Sequence, residues 1–177
     1  KFRQAVGSLK GAFGVMKSEP VNEAQTDMVL PSVGVIPYDM VQRLYNQILM
    51  KIKKLDLNRN IEVVTDRGAI VLRIKEKILF APGSTSLKKG GGSVLKKIAA
   101  LVSPLPFEMR IEGHTDNTPY RVEGRTNWDL SVQRAITVLK YYVGNKQISL
   151  DRLSAVGYGD TRPLVPNDSP ENKALNR

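Results

Sequence analysis

The stretch from Ile111 to Asp116, together with the segment from Asn127 to Arg134, constrains the fold more than any other part of the chain. A run with apolar edges ends at Gly113 and continues into a polar cluster that closes with Asp116. The second segment has a helix-start residue at Asn127 and an arginine seven positions on, two turns along the same face. The sequence therefore predicts a strand, a loop and a helix that bring a carboxylate and a guanidinium to one pocket.

Asp116 and Arg134 are the pair that could carry this pocket's chemistry. An aspartate just past the end of a strand can accept hydrogen bonds from a ligand ammonium, and an arginine can fork onto a carboxylate, which a lysine cannot do. Asn127, at or beside the helix N-cap, adds an amide where exposed backbone N–H groups favour an anion. On spacing alone, an equally good interpretation is that Asn127 only caps the helix and Arg134 only forms a salt bridge with Asp116.

Hydrophobic periodicity predicts the other elements of the chain. They are a helix over 39–57, strands over 61–65 and 69–75 joined by a tight turn at 66–68, a helix starting at Thr85 or Ser86, a strand over 107–112, a helix over 127–143 and a strand over 153–156. The remaining tail, 161–177, is polar and holds three prolines. This order implies an α+β sandwich with helices packed on one face of a mixed sheet.

Two of these helices carry more specific expectations. The run from Gly90 to Gly92 falls inside the helix that starts at Thr85 or Ser86, and three consecutive glycines should fray or break its first turns. The helix over 127–143 should end at Gly144. Its predicted buried side consists of Trp128, Val132, Ala135, Ile136, Leu139 and Tyr142.

Charge and composition narrow the kind of partner. The 177 residues are 41% hydrophobic, which suffices for the core of one domain plus an extension. The net charge of +10 indicates an anionic partner. The basic residues are scattered and lack interleaved aromatics, so nucleic acid is not favoured. The chain has no cysteine, which excludes disulfide and thiolate chemistry, and no apolar stretch approaches the roughly 18 residues of a membrane span.

Catalytic and metal-binding interpretations find little support. His114 is the only histidine, and without cysteines or clustered carboxylates it is expected to be a scaffold residue rather than a metal ligand. Ser131 lies within a predicted helix and not on a strained elbow beside a base, so a serine hydrolase is not favoured. We expect neither a metal nor a cofactor.

The first 37 residues are predicted to lead into the domain. Residues 1–19 have the spacing of a short amphipathic helix, although three glycines weaken it, and residues 20–37 contain three prolines and little periodicity, as in a linker. Lys1 is not an initiator methionine. We expect a fragment or mature product whose membrane anchor lies upstream.

Several motifs in order carry a family resemblance. They are Gly113-His-Thr-Asp116, Asn127-x-x-Leu-Ser-x-x-Arg134-Ala, Arg152-Leu153, Tyr158-Gly159 and the terminal Asn176-Arg177. At this spacing the chain resembles the OmpA-like peptidoglycan-binding domain over about residues 69–177. Within that family, Asp116-Asn-Thr-Pro119 and Asn127-Trp-Asp-Leu-Ser are most similar to the periplasmic region of flagellar stator proteins of the MotB type.

The resemblance implies a β-α-β-α-β core that binds the diaminopimelate-containing stem peptide of peptidoglycan without catalysis. Asp116 would then contact the ligand ammonium and Arg134 its carboxylate. The resemblance also implies that Thr115, Asn127, Asp129 and Leu130 line the pocket, several of them through backbone groups. Arg177 matches the first arginine of the family's Asn-Arg-Arg motif, and the resemblance implies that it too is a peptidoglycan-binding residue. Because the sequence stops at Arg177, the last family strand is expected to be truncated.

The resemblance further implies a role in motility. A stator protein of this type is periplasmic, anchored in the inner membrane, homodimeric and partnered by a MotA-like subunit. The alternative is an OmpA- or Pal-type envelope tether unrelated to motility. The implied organisation is a plug-proximal segment and linker over 1–37, a helix and strand extension over 38–68 and the peptidoglycan-binding domain over 69–177.

Overall fold

The structure, a computed structural model, describes residues 38–177. The helix predicted over 1–19 and the linker predicted over 20–37 lie outside these residues. The described elements are α1 (Tyr38–Lys54), β1 (Ile61–Asp66), β2 (Ala69–Ile74), α2 (Glu76–Leu79), α3 (Gly91–Val102), β3 (Met109–Gly113), α4 (Asn127–Gly144), a 3-10 turn (Leu150–Arg152), β4 (Leu153–Gly157) and α5 (Pro170–Leu175). The predicted α+β class is confirmed.

Helix α1 forms where the apolar stripe predicts it. Val41, Ile48 and Ile52 are buried, and the exposed side carries the ion pair between Asp39 and Arg43, four residues apart. Such a pair adds little stability at the surface, so the helix is held mainly by its buried stripe. Within 38–177, none of the helices combines the length and the apolar character needed to cross a lipid bilayer.

Strands β1 and β2 form an antiparallel hairpin whose turn the sequence predicts correctly. The register pairs Ile61 with Ile74 and Asp66 with Ala69. Between the strands, Arg67 and Gly68 have φ values of 47° and 80°. Positive φ at both central residues is the condition for a type I′ turn, which matches the twist of the flanking strands.

Strands β3 and β4 run parallel, with Met109 opposite Leu153 and Gly113 opposite Gly157. Helix α4 connects them and packs on both. Both ladder types of the predicted mixed sheet are thus present, but among the described residues they form two separate two-stranded sheets and not one. Alternation of apolar residues marks a strand and its inner face, whereas the choice of neighbour depends on the tertiary packing.

The start of α3 differs from the prediction. The helix begins at Gly91 and not at Thr85 or Ser86, and Gly90 at its N-cap has a left-handed φ of 90°. A Cβ on Gly91 would lie 3.1 Å from the carbonyl oxygen of Leu79, and one on Gly92 would lie 3.1 Å from the Tyr141 ring. The glycines therefore delay the helix and allow it to pack closely against α2 and α4.

One hydrophobic core joins α1, the hairpin, α3 and α4. Its central side chains include Ile48, Ile52, Leu79, Leu95, Ile98, Val138 and Tyr142. The predicted buried side of α4 is wrong at Trp128, which is 48% exposed. It is the backbone of Trp128 and not its side chain that approaches Gly159, where the Trp128 nitrogen lies 3.3 Å from the position of a Cβ.

Candidate functional site

The candidate site begins where α4 crosses the carboxyl ends of β3 and β4. A Cβ on Gly113 would lie 2.1 Å from the carbonyl oxygen of Ser131, and one on Gly157 would lie 2.5 Å from the Ser131 hydroxyl oxygen. The Ser131 side chain is fully buried, and its hydroxyl accepts a hydrogen bond of 2.9 Å from the Gly159 N–H. Only glycine permits this approach, which fixes the start of α4 against both strand ends.

The polar loop after β3 lies in this corner. The Thr115 N–H donates to the carbonyl of Gly159 at 2.9 Å. The carboxylate of Asp116 accepts from the Thr118 N–H at 2.9 Å, and the residue is only 3% exposed. The loop therefore turns the Asp116 carboxylate inward and out of bulk water, where a bound cation would interact with it strongly.

Asn127 braces this loop and does not cap α4. Its side-chain NH₂ donates to the carbonyl oxygens of Asp116, at 3.2 Å, and Thr118, at 3.1 Å. The cap is Thr126, which forms a capping box with Asp129. The interpretation that Asn127 only caps the helix is therefore wrong, because the residue lies one position past the cap with its amide turned toward the loop.

Asp129 is exposed and contributes to the site through the helix start. Its carboxylate accepts from the Thr126 N–H at 2.7 Å and from the Thr126 hydroxyl at 2.8 Å. These hydrogen bonds, the backbone one first, lower the pKa of Asp129. Leu130, the next predicted pocket residue, is buried, and its N–H donates to the Thr126 carbonyl.

Arg134 is buried and does not pair with Asp116. Its guanidinium Nε donates to the carbonyl of Ser84 at 2.9 Å, and Nη2 donates to the Glu76 carboxylate at 2.5 Å and to the carbonyl of Ala81 at 3.4 Å. The guanidinium carbon lies 5.2 Å from the centre of the Phe80 ring. The simple Asp116–Arg134 salt bridge considered from spacing is therefore wrong, since α2 and the segment after it supply the partners of Arg134.

Glu76 and Arg177, the second of which is itself a predicted site residue, connect Asp116 with Arg134. Arg177 Nε lies 3.2 Å from one Glu76 oxygen, and Arg177 Nη1 lies 3.2 Å from Asp116 Oδ2. The other Glu76 oxygen contacts Arg134. The four side chains thus form a chain of alternating charge, Asp116, Arg177, Glu76, Arg134, which we call the charge chain. Its two ends are the residues for which a ligand ammonium and carboxylate were predicted.

The position of Arg177 depends on Asn176, which is 3% exposed. The Asn176 side chain accepts from the N–H groups of Leu164 and Val165 and donates to the Val165 carbonyl. The Arg177 carbonyl in turn accepts from the Glu76 N–H at 3.3 Å. This clamp holds the polar tail, in which the sequence predicted no helix, next to α2.

Sequence reasoning missed Glu76. Glu76 comes two positions after the last residue of β2 and is the first residue of α2. From the sequence alone it is only a charged residue between two apolar runs. The only signal was its place just after a strand, which is also the signal that singled out Asp116. Glu76 and Arg177 line a surface cleft with Lys75, Lys77, Ala174 and Leu175, and Asp116 and Arg134 are not among its lining residues.

Three buried polar atoms of the loop have no hydrogen-bond partner among the described residues: His114 Nδ1, Thr115 Oγ1 and Asp116 Oδ2. Arg177 approaches Asp116 Oδ2 within ion-pair distance but not in hydrogen-bond geometry. Buried polar groups are ordinarily hydrogen-bonded, so an unpartnered group that contacts a cleft residue, as Asp116 contacts Arg177, indicates a ligand position. A carboxylate oxygen can only accept, which makes its missing partner a donor.

His114 packs as a scaffold residue. Its ring stacks on Tyr158 with centres 5.3 Å apart, and its Nε2 lies 3.4 Å from a Glu112 carboxylate oxygen. Across residues 38–177, no group of three or more histidine or carboxylate side chains gathers as a metal site would require.

The fold and the site together define a small α+β binding domain with a charge-paired pocket beside two parallel strand ends. The chain belongs to the OmpA family, whose model matches residues 79–177, more than half of the chain.

Similar proteins place it near the MotB proteins within that family. The chain is 30% identical to the uncharacterized Bacillus subtilis protein YtxE, covering 100% of this chain and 73% of that protein. It is 30% identical to Motility protein B of Bacillus subtilis, covering 77% of this chain and 53% of that protein. The chain therefore spans about half of this second relative.

Solved structures give the same relationship. A MotB-like protein from Desulfovibrio vulgaris superposes with a TM-score of 0.74 at 33% identity, covering 78% of this chain and 87% of that one. The cell wall anchor of the T6SS from Pseudomonas aeruginosa superposes with a TM-score of 0.65 at 28% identity, covering 73% of this chain and 91% of that one. The predicted resemblance to OmpA-like domains close to MotB is confirmed.

Proposed function

We propose that this chain binds peptidoglycan without cleaving it, through the diaminopimelate of the stem peptide. The observation that carries the proposal is Asp116 Oδ2, a buried carboxylate oxygen without a hydrogen-bond donor, at one end of a chain of charges that has Arg134 at the other. Diaminopimelate presents an ammonium and a carboxylate on one carbon, and this pairing of charges fits a site with one residue for each.

The roles of the site residues follow from their contacts. Asp116 accepts from the ligand ammonium, and Arg134 donates to its carboxylate through Nη1, the guanidinium nitrogen that makes no hydrogen bond within the described residues. Thr115 offers its unpartnered hydroxyl. Asn127 holds the loop in place, and Asp129 and Leu130 fix the helix start. Arg177 also contacts Asp116 Oδ2, so a ligand ammonium bound to that oxygen lies next to the Arg177 guanidinium.

We further propose that binding anchors a flagellar stator to the cell wall. Support comes from the similarity to Motility protein B and to a MotB-like structure. On this proposal the domain is periplasmic and homodimeric, it partners a MotA-like subunit, and its membrane anchor lies in the inner membrane. The divisions 1–37, 38–68 and 69–177 remain part of the proposal.

Replacement of Asp116 by asparagine tests the binding role. The amide keeps the size of the side chain but loses the charge that faces the ammonium, and a hydrogen bond to a charged group contributes about 1.5–3 kcal/mol. We expect the affinity for a diaminopimelate muropeptide to fall about 10- to 100-fold in calorimetry, and sedimentation with purified sacculi to fall with it.

The matched control is Asp39→Asn, which removes the same charge from the exposed start of α1. It should bind like wild type. Equal binding by Asp116→Asn and wild type would remove the proposed role of Asp116, and release of soluble muropeptides from sacculi would contradict a non-catalytic function.

A further inference from the structure

Glu76 lies where the two arginines of the site meet. Its side chain is only 14% exposed, with one oxygen on Arg134 and the other on Arg177. Both oxygens are therefore used within the protein, and Glu76 is not available to bind a ligand directly. What it contributes to the site is one negative charge and the connection between two positive ones.

Glu76 brings the net charge of the charge chain to zero. Asp116 and Glu76 supply two carboxylates, Arg134 and Arg177 supply two guanidiniums, and in the described part of the chain the salt bridges of these four groups are with one another. Three of the four side chains are 14% exposed or less. Because water screens such groups poorly, a ligand that brings net charge disturbs the balance, whereas a neutral zwitterion preserves it.

From this geometry we infer that Glu76 and Arg177 determine the specificity of the site: they keep the net charge of the charge chain at zero and so select a ligand with both an ammonium and a carboxylate. Lys75 and Lys77, which line the same cleft, are exposed, so water screens their charges more than those of the buried groups. The inference rests on the proposed binding of diaminopimelate. Asp116 and Arg134 contact the charged groups of the ligand. Glu76 and Arg177 determine which net charge of the ligand the site binds best. Specificity of this kind is a difference between affinities, which charge variants can shift in either direction.

The test uses charge-removing substitutions of similar shape. Glu76→Gln leaves the charge chain with one excess positive charge, and Arg177→Gln leaves it with one excess negative charge. The probes are a muropeptide with the free amine and carboxylate on diaminopimelate, the same muropeptide with that amine acetylated, and the same with that carboxylate amidated. The measured quantity is the ratio of affinities for the acetylated, anionic probe and the amidated, cationic probe.

We expect Glu76→Gln to raise this ratio by about tenfold or more and Arg177→Gln to lower it by a similar factor, which is the effect expected of one charge-assisted hydrogen bond. The double variant restores a net charge of zero and should return the ratio to the wild-type value. If Glu76 and Arg177 had a purely structural role, the variants would lose affinity for both probes by the same factor and the ratio would stay unchanged. That result would overturn the inference.

Two controls keep the outcomes distinct. Glu62→Gln removes a carboxylate from the exposed hairpin pair with Arg73 and should leave the ratio unchanged. Absence of wild-type binding to the unmodified muropeptide would reject the proposed function itself. If Glu76→Gln fails to fold by circular dichroism, Arg177→Gln still decides the question, because Arg177 is 39% exposed and lies at the edge of the site.

Discussion

At the scale of single residues, the position of each donor atom decides what the site can do. Arg134 uses Nε and Nη2 for Ser84, Ala81 and Glu76, so the bidentate fork predicted from the sequence is not free for a ligand. A ligand carboxylate reaches Nη1 alone or displaces Glu76. On the proposed function, the internal hydrogen bonds would still assist binding, since they hold the guanidinium in one orientation before a ligand arrives.

Arg134→Lys separates charge from geometry at this position. A lysine keeps the positive charge but cannot satisfy the Ser84 carbonyl and the Glu76 carboxylate together. We expect muropeptide affinity to fall about tenfold or more, and the free energy of unfolding in urea to fall by about 1–3 kcal/mol because a buried acceptor loses its donor. Arg43→Lys, at a side chain that is 78% exposed, should change neither quantity. Wild-type affinity in Arg134→Lys would show that only charge matters there.

At the scale of elements, the site depends on how closely α4 approaches β3 and β4. Helix α4 passes so close to Gly113 and Gly157 that neither position has room for a side chain. The same contact places the loop of Asp116 beside the start of α4. The capping box of Thr126 and Asp129 then starts α4 at a fixed residue. Local sequence chemistry at these few positions thus fixes the corner that the ligand is proposed to enter.

Gly113→Ala should destabilise the domain by forcing this crossing apart. The added Cβ would lie 2.1 Å from the Ser131 carbonyl oxygen, which is backbone and cannot rotate away. We expect a loss of about 3 kcal/mol in the free energy of unfolding, at the upper end of typical overpacking costs. Gly144→Ala is the matched control, because a Cβ there meets nothing within 4 Å. Equal stability of the two variants in urea denaturation would contradict the close crossing.

The capping box makes a prediction about acid stability. Hydrogen bonds from Thr126 lower the pKa of Asp129 below its ordinary value of 3.8 in the folded protein. A depressed folded pKa contributes stability that is present above the unfolded pKa and is lost as the pH falls through the folded pKa. Between pH of about 5 and about 2, the stability of wild type should therefore fall more steeply than that of Asp129→Asn. Parallel curves in urea titrations would refute this contribution.

At the scale of the whole molecule, the net charge acts at long range and the ion pairs of the site act at short range. The chain carries a net charge of +10, while the charge chain in the site is balanced. Peptidoglycan stems are rich in carboxylates, so a basic chain is attracted to the polymer over the distance that salt permits. The proposed recognition of one stem peptide would depend instead on contacts of hydrogen-bond length, which salt screens much less.

Salt should therefore separate the two effects. Raising ionic strength from about 0.05 M to about 0.5 M shortens the screening length severalfold. We expect the fraction of the protein that sediments with sacculi to fall strongly. The affinity for a single diaminopimelate muropeptide, measured by calorimetry, should change by much less. Loss of both by the same factor would show that the pocket, too, works through long-range attraction.

The sequence by itself determined most of the elements, although it predicted neither α2 nor α5. Apolar periodicity located α1, the hairpin with its turn at Arg67 and Gly68, and the strand, loop and helix that contain Asp116 and Arg134, because these signals are local in the chain. The glycine run predicted that the first turns of α3 would be lost, and the helix does begin only at Gly91. The close contacts of Gly91 with Leu79 and of Gly92 with Tyr141 come from the tertiary structure, and no local pattern predicts them.

Only the tertiary structure decided which charges meet. Asp116 and Arg134 lie 18 positions apart and looked like partners, yet Glu76 and Arg177, 101 positions apart, stand between them. An ion pair between residues distant in sequence leaves no periodic trace, because it depends on where the chain returns and not on what precedes or follows each residue. The sequence thus singled out Asp116 and Arg134, whereas the ion pairs that link them through Glu76 and Arg177 depend on the tertiary structure.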